Sequence, residues 1–275
     1  PGLRLKVRAR GQTGAVKHGE TLELAHPRGD VELTLSSTKP LNGPDGLFWL
    51  HPGERAYVSL RWRGNHDAQM HAAARRLDDT RRAWRAWSSH IEYAGPARAL
   101  VRRSVLTLKQ LHYFENGSII AAPTTSLPEV IGADQNWDYR YSWIRDAAFT
   151  VESLRELGLP DESGDFVRWV LDATAHDGRP KTLYDVEGHP IGDESIDETL
   201  RGYRGSAPVR FKNAAAKQDQ RDVLGHVLEC AWEFAQHHGD LDAEQWRRLT
   251  DIVEQARASW RLPDHGIWEK RGVAR

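Results

Sequence analysis

Residues 136–146 (NWDYRYSWIRD) hold four aromatics, two arginines and two aspartates in eleven positions, at the predicted mouth of a helix. Aromatic rings offer flat apolar faces, and Asp and Arg beside them accept and donate hydrogen bonds in fixed geometry. That mixture suits a sugar ring, which has apolar C–H faces and a hydroxyl rim. The same composition also suits a buried Trp/Tyr cluster satisfied by an internal Arg–Asp pair. A phosphate site is disfavoured because no glycine-rich cradle precedes the helix.

A second constellation is Asp264, His265, Gly266, Ile267, Trp268 and Glu269. A glutamate pressed against a tryptophan on a loop is partly desolvated, which favours the protonated acid. Surface Trp–Glu pairs are also common, so this feature alone is weak. The acidic residues Asp193, Glu194, Asp197 and Glu198 could gather a cation, but read better as a solvated loop face. His-Glu-x-x-His, Gly-x-Ser-x-Gly and P-loop patterns are absent from the sequence. The neighbours His237 and His238 point apart on a predicted helix and read as ordinary. Cys230 reads as a small core residue.

The elements that must position these groups change character along the chain. Leu5, Val7 and Ala9, then Leu22 and Leu24, then Val31, Leu33 and Leu35, then Val58, Leu60 and Trp62 alternate with polar residues. Turn clusters at 11–14, 26–30 and 40–46 separate them. Short alternating strands at this spacing predict an antiparallel β-sandwich portion over 1–65, with one wetted face. From Asp67 to Ser88 the period becomes helical, which predicts a helical linker over 66–95. Beyond it the chain reads as all-α. Pro96 fits a first helical turn, with Val101, Val105, Leu108 and His112 down one stripe. Further helices are predicted at Arg145–Leu157, Asp161–Ala175, Ala214–His237 and Asp242–Trp260, with Gly158 and Gly239 as stops. The connections Glu115–Trp143 and His176–Asn213 exceed the usual length, as functional loops do.

Composition narrows the class. The chain has 275 residues, room for one large domain or two ordinary ones at roughly 100–200 residues each. Lysine plus arginine number 38 and aspartate plus glutamate 39, a net charge of −1 that offers no footprint for nucleic acid. Mean hydropathy is −0.64, and no apolar run approaches the ~18 residues that span a bilayer. The single cysteine excludes an internal disulfide framework and a cysteine-based zinc site. It fits the cytoplasm, and no signal-peptide pattern is visible.

Four segments in order carry a resemblance: 117–129 (GSIIAAPTTSLPE), 136–146, 202–210 (GYRGSAPVR) and 266–269 (GIWE). Together they resemble bacterial glycoside hydrolase family 15, which contains glucoamylases, glucodextranases and trehalases. The match covers about residues 80–273, and the N-terminal strands resemble the sandwich that precedes the catalytic domain in bacterial members. The resemblance implies an (α/α)6 barrel, of which residues 96–275 would supply a first part, with about five helices. It implies an inverting mechanism in which one carboxylic acid protonates the glycosidic oxygen and an opposed carboxylate activates water.

By motif match, Glu269 resembles the general acid. Arg145 and Asp146 resemble the pair that grips the non-reducing-end glucose, and Tyr139, Trp143 and Trp268 the walls of that pocket. Asp138 and Arg204 fall inside matching motifs in supporting roles. The family's base comes from a late barrel loop, which would lie beyond Arg275. The chain is therefore expected to be a fragment, inactive by itself, with an open barrel side that aggregates, binds a hydrophobic dye or recruits a second copy. Were it active alone, Glu194 and Glu198 would be the first carboxylates to test as base. The implied partner is an α-glucoside or α-glucan substrate, with no membrane, nucleic acid, metal or cofactor. The competing reading is a non-catalytic carbohydrate-binding or regulatory relative that keeps the sugar pocket.

Overall fold

The computed structural model describes residues 3–8, 14–18, 21–25, 32–39, 45–62, 71–125, 127–175 and 178–269. The chain divides into two compact units, Pro1–Trp87 and Ser88–Arg275.

In the first unit, β1 (Leu3–Arg8), β2 (Gly14–His18), β3 (Thr21–Ala25), β4 (Glu32–Ser37), β5 (Asp45–Leu50) and β6 (Val58–Trp62) are all antiparallel. β1 pairs with β5, and the other four form a sheet in the order β2-β3-β4-β6. The strands expected around Leu5, Leu22, Leu33 and Leu60 are present. β2 and β5 had no clear apolar alternation of their own, and β5 begins inside the predicted turn cluster at 40–46. Pairing supplies what the pattern lacked: Leu5 sits opposite Phe48, and Lys17 opposite Leu22. Ala9, Val31 and most of the predicted turns lie outside the described residues. α1 follows at His71–Ser88, and residues 63–70 lie outside the described set.

The second unit is built on α2 (Arg98–Leu111), α3 (Ile144–Glu156), α4 (Asp161–Ala175), α5 (Asp222–His238) and α6 (Ala243–Ser259). Two short ribbons interrupt the loops: β7 (Ser142–Trp143) with β8 (Leu183–Tyr184), and β9 (Ser195–Asp197) with β10 (Val209–Phe211). Pro96 precedes the first turn of α2 rather than occupying it, because Ala97 takes a left-handed N-cap conformation. α3, α4 and α5 share one core, in which Ile144, Val151, Phe166, Val170 and Val227 are all but fully buried. The local stops and starts are those the sequence encodes. Gly158 has φ +82, its N–H reaches Arg155 O at 2.9 Å, and Leu159 N reaches Leu154 O at 3.0 Å. That is a Schellman closure, with buried Leu154 and Leu159 as its apolar partners. Asp242 opens α6 with a capping box: Oδ1 accepts from Glu244 N and Gln245 N, and Gln245 Oε1 accepts from Asp242 N.

The predicted helix Ala214–His237 is corrected. A 3-10 turn over Ala214–Lys217, capped by Asn213, gives way to extended Gln218, and α5 starts only at Asp222. Tertiary hydrogen bonds overrule the local helical preference. The Thr182 hydroxyl donates to Gln218 O at 3.1 Å, and Arg221 N donates to Asp264 Oδ2 at 3.0 Å. The break matters because it turns Gln218 and Gln220 toward the residues described next. Cys230 is a buried core residue of α5, as expected.

Candidate active site

A cavity of about 720 Å³ opens where residues 129–146, 213–218 and 267–269 converge. Tyr139, Trp143, Arg145, Asp146, Trp268 and Glu269 all line it. The sequence motif reaches it by two devices. Over residues 136–139 the side chains alternate between the protein interior and the cavity. Asn136 and Asp138 are fully buried in the protein, whereas Trp137 and Tyr139 line the cavity. The chain then pairs as β7 and enters α3, whose first turn carries Arg145 and Asp146. The buried Asp138 with its Arg140 partner matches the internal Arg–Asp pair expected of a packing cluster, while the Trp137 and Tyr139 rings lie on the cavity wall.

The even positions fix the loop. Asp138 takes Arg140 bidentately at 2.9 Å on each oxygen and also accepts from Lys212 N at 3.0 Å. Asn136 Nδ2 donates to Ala133 O and Pro208 O, and Gly132 N donates to Ser206 Oγ at 2.8 Å. The 202–210 motif therefore serves as the shelf on which 132–138 rests. Gly202 belongs at its turn: φ 66 and ψ 179 is a glycine conformation, and an added Cβ would lie 1.8 Å from Ser206 O. Arg204 sits exposed on that turn, over the Tyr203 ring, away from the cavity.

Glu269 is held from several sides. Trp143 Nε1 donates to its Oε1 at 2.8 Å, and Arg145 Nη2 donates to the same oxygen at 3.1 Å. Gln218 Nε2 donates to its backbone carbonyl at 3.1 Å. Its φ of +49 is uncommon for a residue with a side chain, which marks it as held by its surroundings. The predicted partner is corrected: Trp268 is 81% exposed, and the tryptophan touching the Glu269 carboxyl is Trp143, which is 2% exposed. Sequence adjacency does not decide which ring meets a carboxyl. Arg145 is the hub, since its Nη1 also donates to Gln220 Oε1 at 2.8 Å and Asp222 Oδ2 at 3.1 Å.

Two of the groups that line the cavity have perturbed acidity. Burial pushes the Asp146 carboxyl above the usual carboxylate value, opposed by the Arg145 charge, its own backbone N–H and His226. Tyr139 is pushed up to about 12 by burial, and then by the carboxylates of Glu129, Glu269 and Asp146. It remains a neutral hydroxyl donor. Sequence reasoning missed Gln218 and Gln220, placed in the interior of a helix, and Glu129, whose acceptor role depends on Trp137. The acidic segment is the solvated face expected at Asp193 and Glu198, which are exposed, and departs from it at Glu194. Glu194 is largely buried against Arg210 at 3.1 Å, and Asp193 pairs with Lys217 at 2.5 Å. Neither Glu194 nor Glu198 lines the cavity. Among the described residues, no group of three or more His, Cys, Asp or Glu could hold a metal ion, and no helix is long and apolar enough to cross a membrane.

Comparison with known proteins gives this arrangement its class. The model of glycosyl hydrolases family 15 matches residues 95–275, and the chain belongs to that family. It is 36% identical over 279 residues to a trehalase of Mycolicibacterium smegmatis, covering 97% of this chain and 42% of the relative. With a trehalase of Thermoplasma volcanium it shares 38% identity over 196 residues, 71% of this chain and 31% of the relative. An isomaltose glucohydrolase of Kribbella flavida is 29% identical over 167 residues, 58% of this chain and 38% of the relative. The chain thus spans well under half the length of these curated relatives.

Proposed function

We propose that the complete protein is an inverting, exo-acting hydrolase of α-glucosidic bonds, trehalase-like in its substrate, with Glu269 as general acid. The observation that carries this reading is the Glu269 carboxyl, seated in a cavity against Trp143 and Arg145. Both donors engage Oε1, so a proton on this carboxyl resides on Oε2, free to be delivered. It passes to the glycosidic oxygen as the bond to the anomeric carbon breaks. Water attacks that carbon from the opposite face and loses its proton to a carboxylate base. We assign the base to residues outside this sequence. Glu129 is engaged by the Trp137 N–H, and we keep Asp146 for substrate.

Asp146, at the first turn of α3, presents its carboxyl to the cavity, where it accepts hydrogen bonds from sugar hydroxyls. Arg145 uses three of its five N–H donors on protein acceptors. It holds the acid in place and offers Nε and the second Nη2 hydrogen to sugar hydroxyls. Tyr139, Trp143 and Trp268 form the walls. Asp138 supports the loop. In the complete protein we read the N-terminal sheets as parts of a β-sandwich and the helices of the second unit as the first part of an (α/α)6 barrel. Exposed Phe149, Trp232 and Trp246 on α3, α5 and α6 support further cover for those helices. The trehalase names among the relatives favour trehalose over other α-glucosides.

The test is a time course by anomer-resolved NMR with the product of the complete reading frame. Inverting cleavage of trehalose releases α- and β-glucose in equal initial amounts, one from each ring. Release of α-glucose alone would establish retention and remove the mechanism. A protein that binds but never cleaves trehalose, maltose or isomaltose would instead be the non-catalytic relative.

A further inference from the structure

We infer that Trp137 is the platform on which the leaving sugar rests, and that Glu129, Arg210 and Glu194 are the positioning residues that hold it there. The inference rests on the proposed function, since it concerns the second ring of the same substrate. Trp137 lines the cavity, yet belongs to neither the α3–α4–α5 core nor the smaller cluster around Trp143, Leu183 and Ala215. Its indole is nevertheless fixed from separate segments. Nε1 donates to Glu129 Oε1 at 2.8 Å, and the Arg210 guanidinium lies over the ring, 5.0 Å from its centroid. Arg210 is fixed in turn. Its Nη1 meets Glu194 Oε1 at 3.1 Å, with both side chains nearly nine-tenths buried, and Glu194 Oε2 accepts from Ala214 N at 3.3 Å.

An aromatic ring clamped at its polar atom and across a face, but left out of the cores, is held in place to meet something in the cavity. Its N–H is already spent, so what it offers a ligand is carbon surface, the complement of a pyranose C–H face. Its place along the wall selects the second ring. Glu269 abuts Trp143, and the Tyr139 ring stands 5.7 Å from the Trp143 ring. Trp137 stands two positions before Tyr139 on the same cavity wall, outside the Glu269 contacts with Trp143 and Arg145. The first ring fits against Trp143, Arg145 and Asp146, and the second reaches Trp137. The acidic segment that belonged to no site thereby acquires a purpose in Glu194, which anchors the cation behind the platform.

The test compares two substrates that share the first ring. One is whichever of trehalose, maltose and isomaltose the wild type cleaves best; the other is α-glucosyl fluoride, whose leaving group is a single atom. Trp137→Ala in the complete protein should lower kcat/KM on the disaccharide about ten- to hundredfold. That loss should exceed the loss on the fluoride by at least about tenfold, since the fluoride has no second ring to bind. Trp137→Phe, which keeps a flat face but loses the Glu129 anchor, should recover only part of the disaccharide activity. Equal losses on both substrates would reduce Trp137 to a structural residue and overturn the assignment. So would an unimpaired disaccharide rate in Trp137→Ala, or a Trp137→Phe as poor as Trp137→Ala. A wild type inert toward both substrates would overturn the proposed function itself, and this assignment with it.

Discussion

Arg145 and Glu269, 124 positions apart in the chain, meet at 3.1 Å, and the oxygen they share also takes the Trp143 indole N–H. Such a doubly donated carboxyl oxygen is oriented before any substrate arrives, as the acid role proposed for Glu269 requires. Trp143→Phe keeps the ring and deletes one donor. A hydrogen bond to a charged group is worth ~1.5–3 kcal/mol, so kcat should fall about ten- to hundredfold with little change in Tm. Steady-state kinetics and thermal melts together check this. A large Tm drop with normal kcat would mean that the contact is structural.

Arg145→Ala should behave differently, because Asp222 and Glu269 both lose their cation. Activity should fall at least as far as in Trp143→Phe, and stability should fall as well, by about 1–3 kcal/mol. Denaturant unfolding measures the second part, and unchanged stability would show that water replaces the guanidinium at both acceptors.

Asp146 makes stability depend on pH in a stated direction. Burial raises its folded-state pKa, so the folded protein binds the proton more tightly than the unfolded chain. Its contribution is then most favourable at low pH and declines as pH rises from the unfolded value of about 3.9 through the raised folded value. Asp146→Asn cannot titrate. The Tm of the variant minus that of the wild type should therefore climb across this window and level off above it, even though activity is lost. Melts from acid to neutral pH would show the slope, and a slope of opposite sign contradicts the desolvated environment.

Asp138 and Gly202 should be stability positions. Asp138→Ala removes the fully buried acceptor of Lys212 N and releases the Arg140 fork to solvent, a loss of about 1–3 kcal/mol. Gly202→Ala forces a Cβ into the Ser206 carbonyl, and the conformation alone costs about 1–3 kcal/mol. Both should lower Tm. A nearby surface change, Arg204→Ala, should be within about 0.5 kcal/mol of wild type.

Cys230 should be silent. Burial pushes its thiol up to about 12, helped by Glu229, Glu152 and Glu233, and the thiolate is the reactive form. A thiol reagent at pH 8 should label the denatured chain and leave the native one unlabelled over the same minutes. Rapid native labelling would mean that α5 opens readily.

What the sequence determined by itself is what nearby residues can encode. Apolar periodicity with a capping residue or a glycine stop marked α3, α4 and α6, because Asp242, Gly158 and their neighbours satisfy helix ends within a few positions. The residue types that suit a sugar were legible between Tyr139 and Asp146, since they are consecutive in the chain. What only the tertiary structure decided is every relation across distance. Asp264 and Thr182 break the helix predicted across Gln218. Trp143, not adjacent Trp268, meets the Glu269 carboxyl. Glu194 leaves the solvent for Arg210. The reason is common to all three: desolvation and hydrogen bonding act through space, on whichever groups the fold brings within about 3 Å, and local order along the chain carries no record of those neighbours.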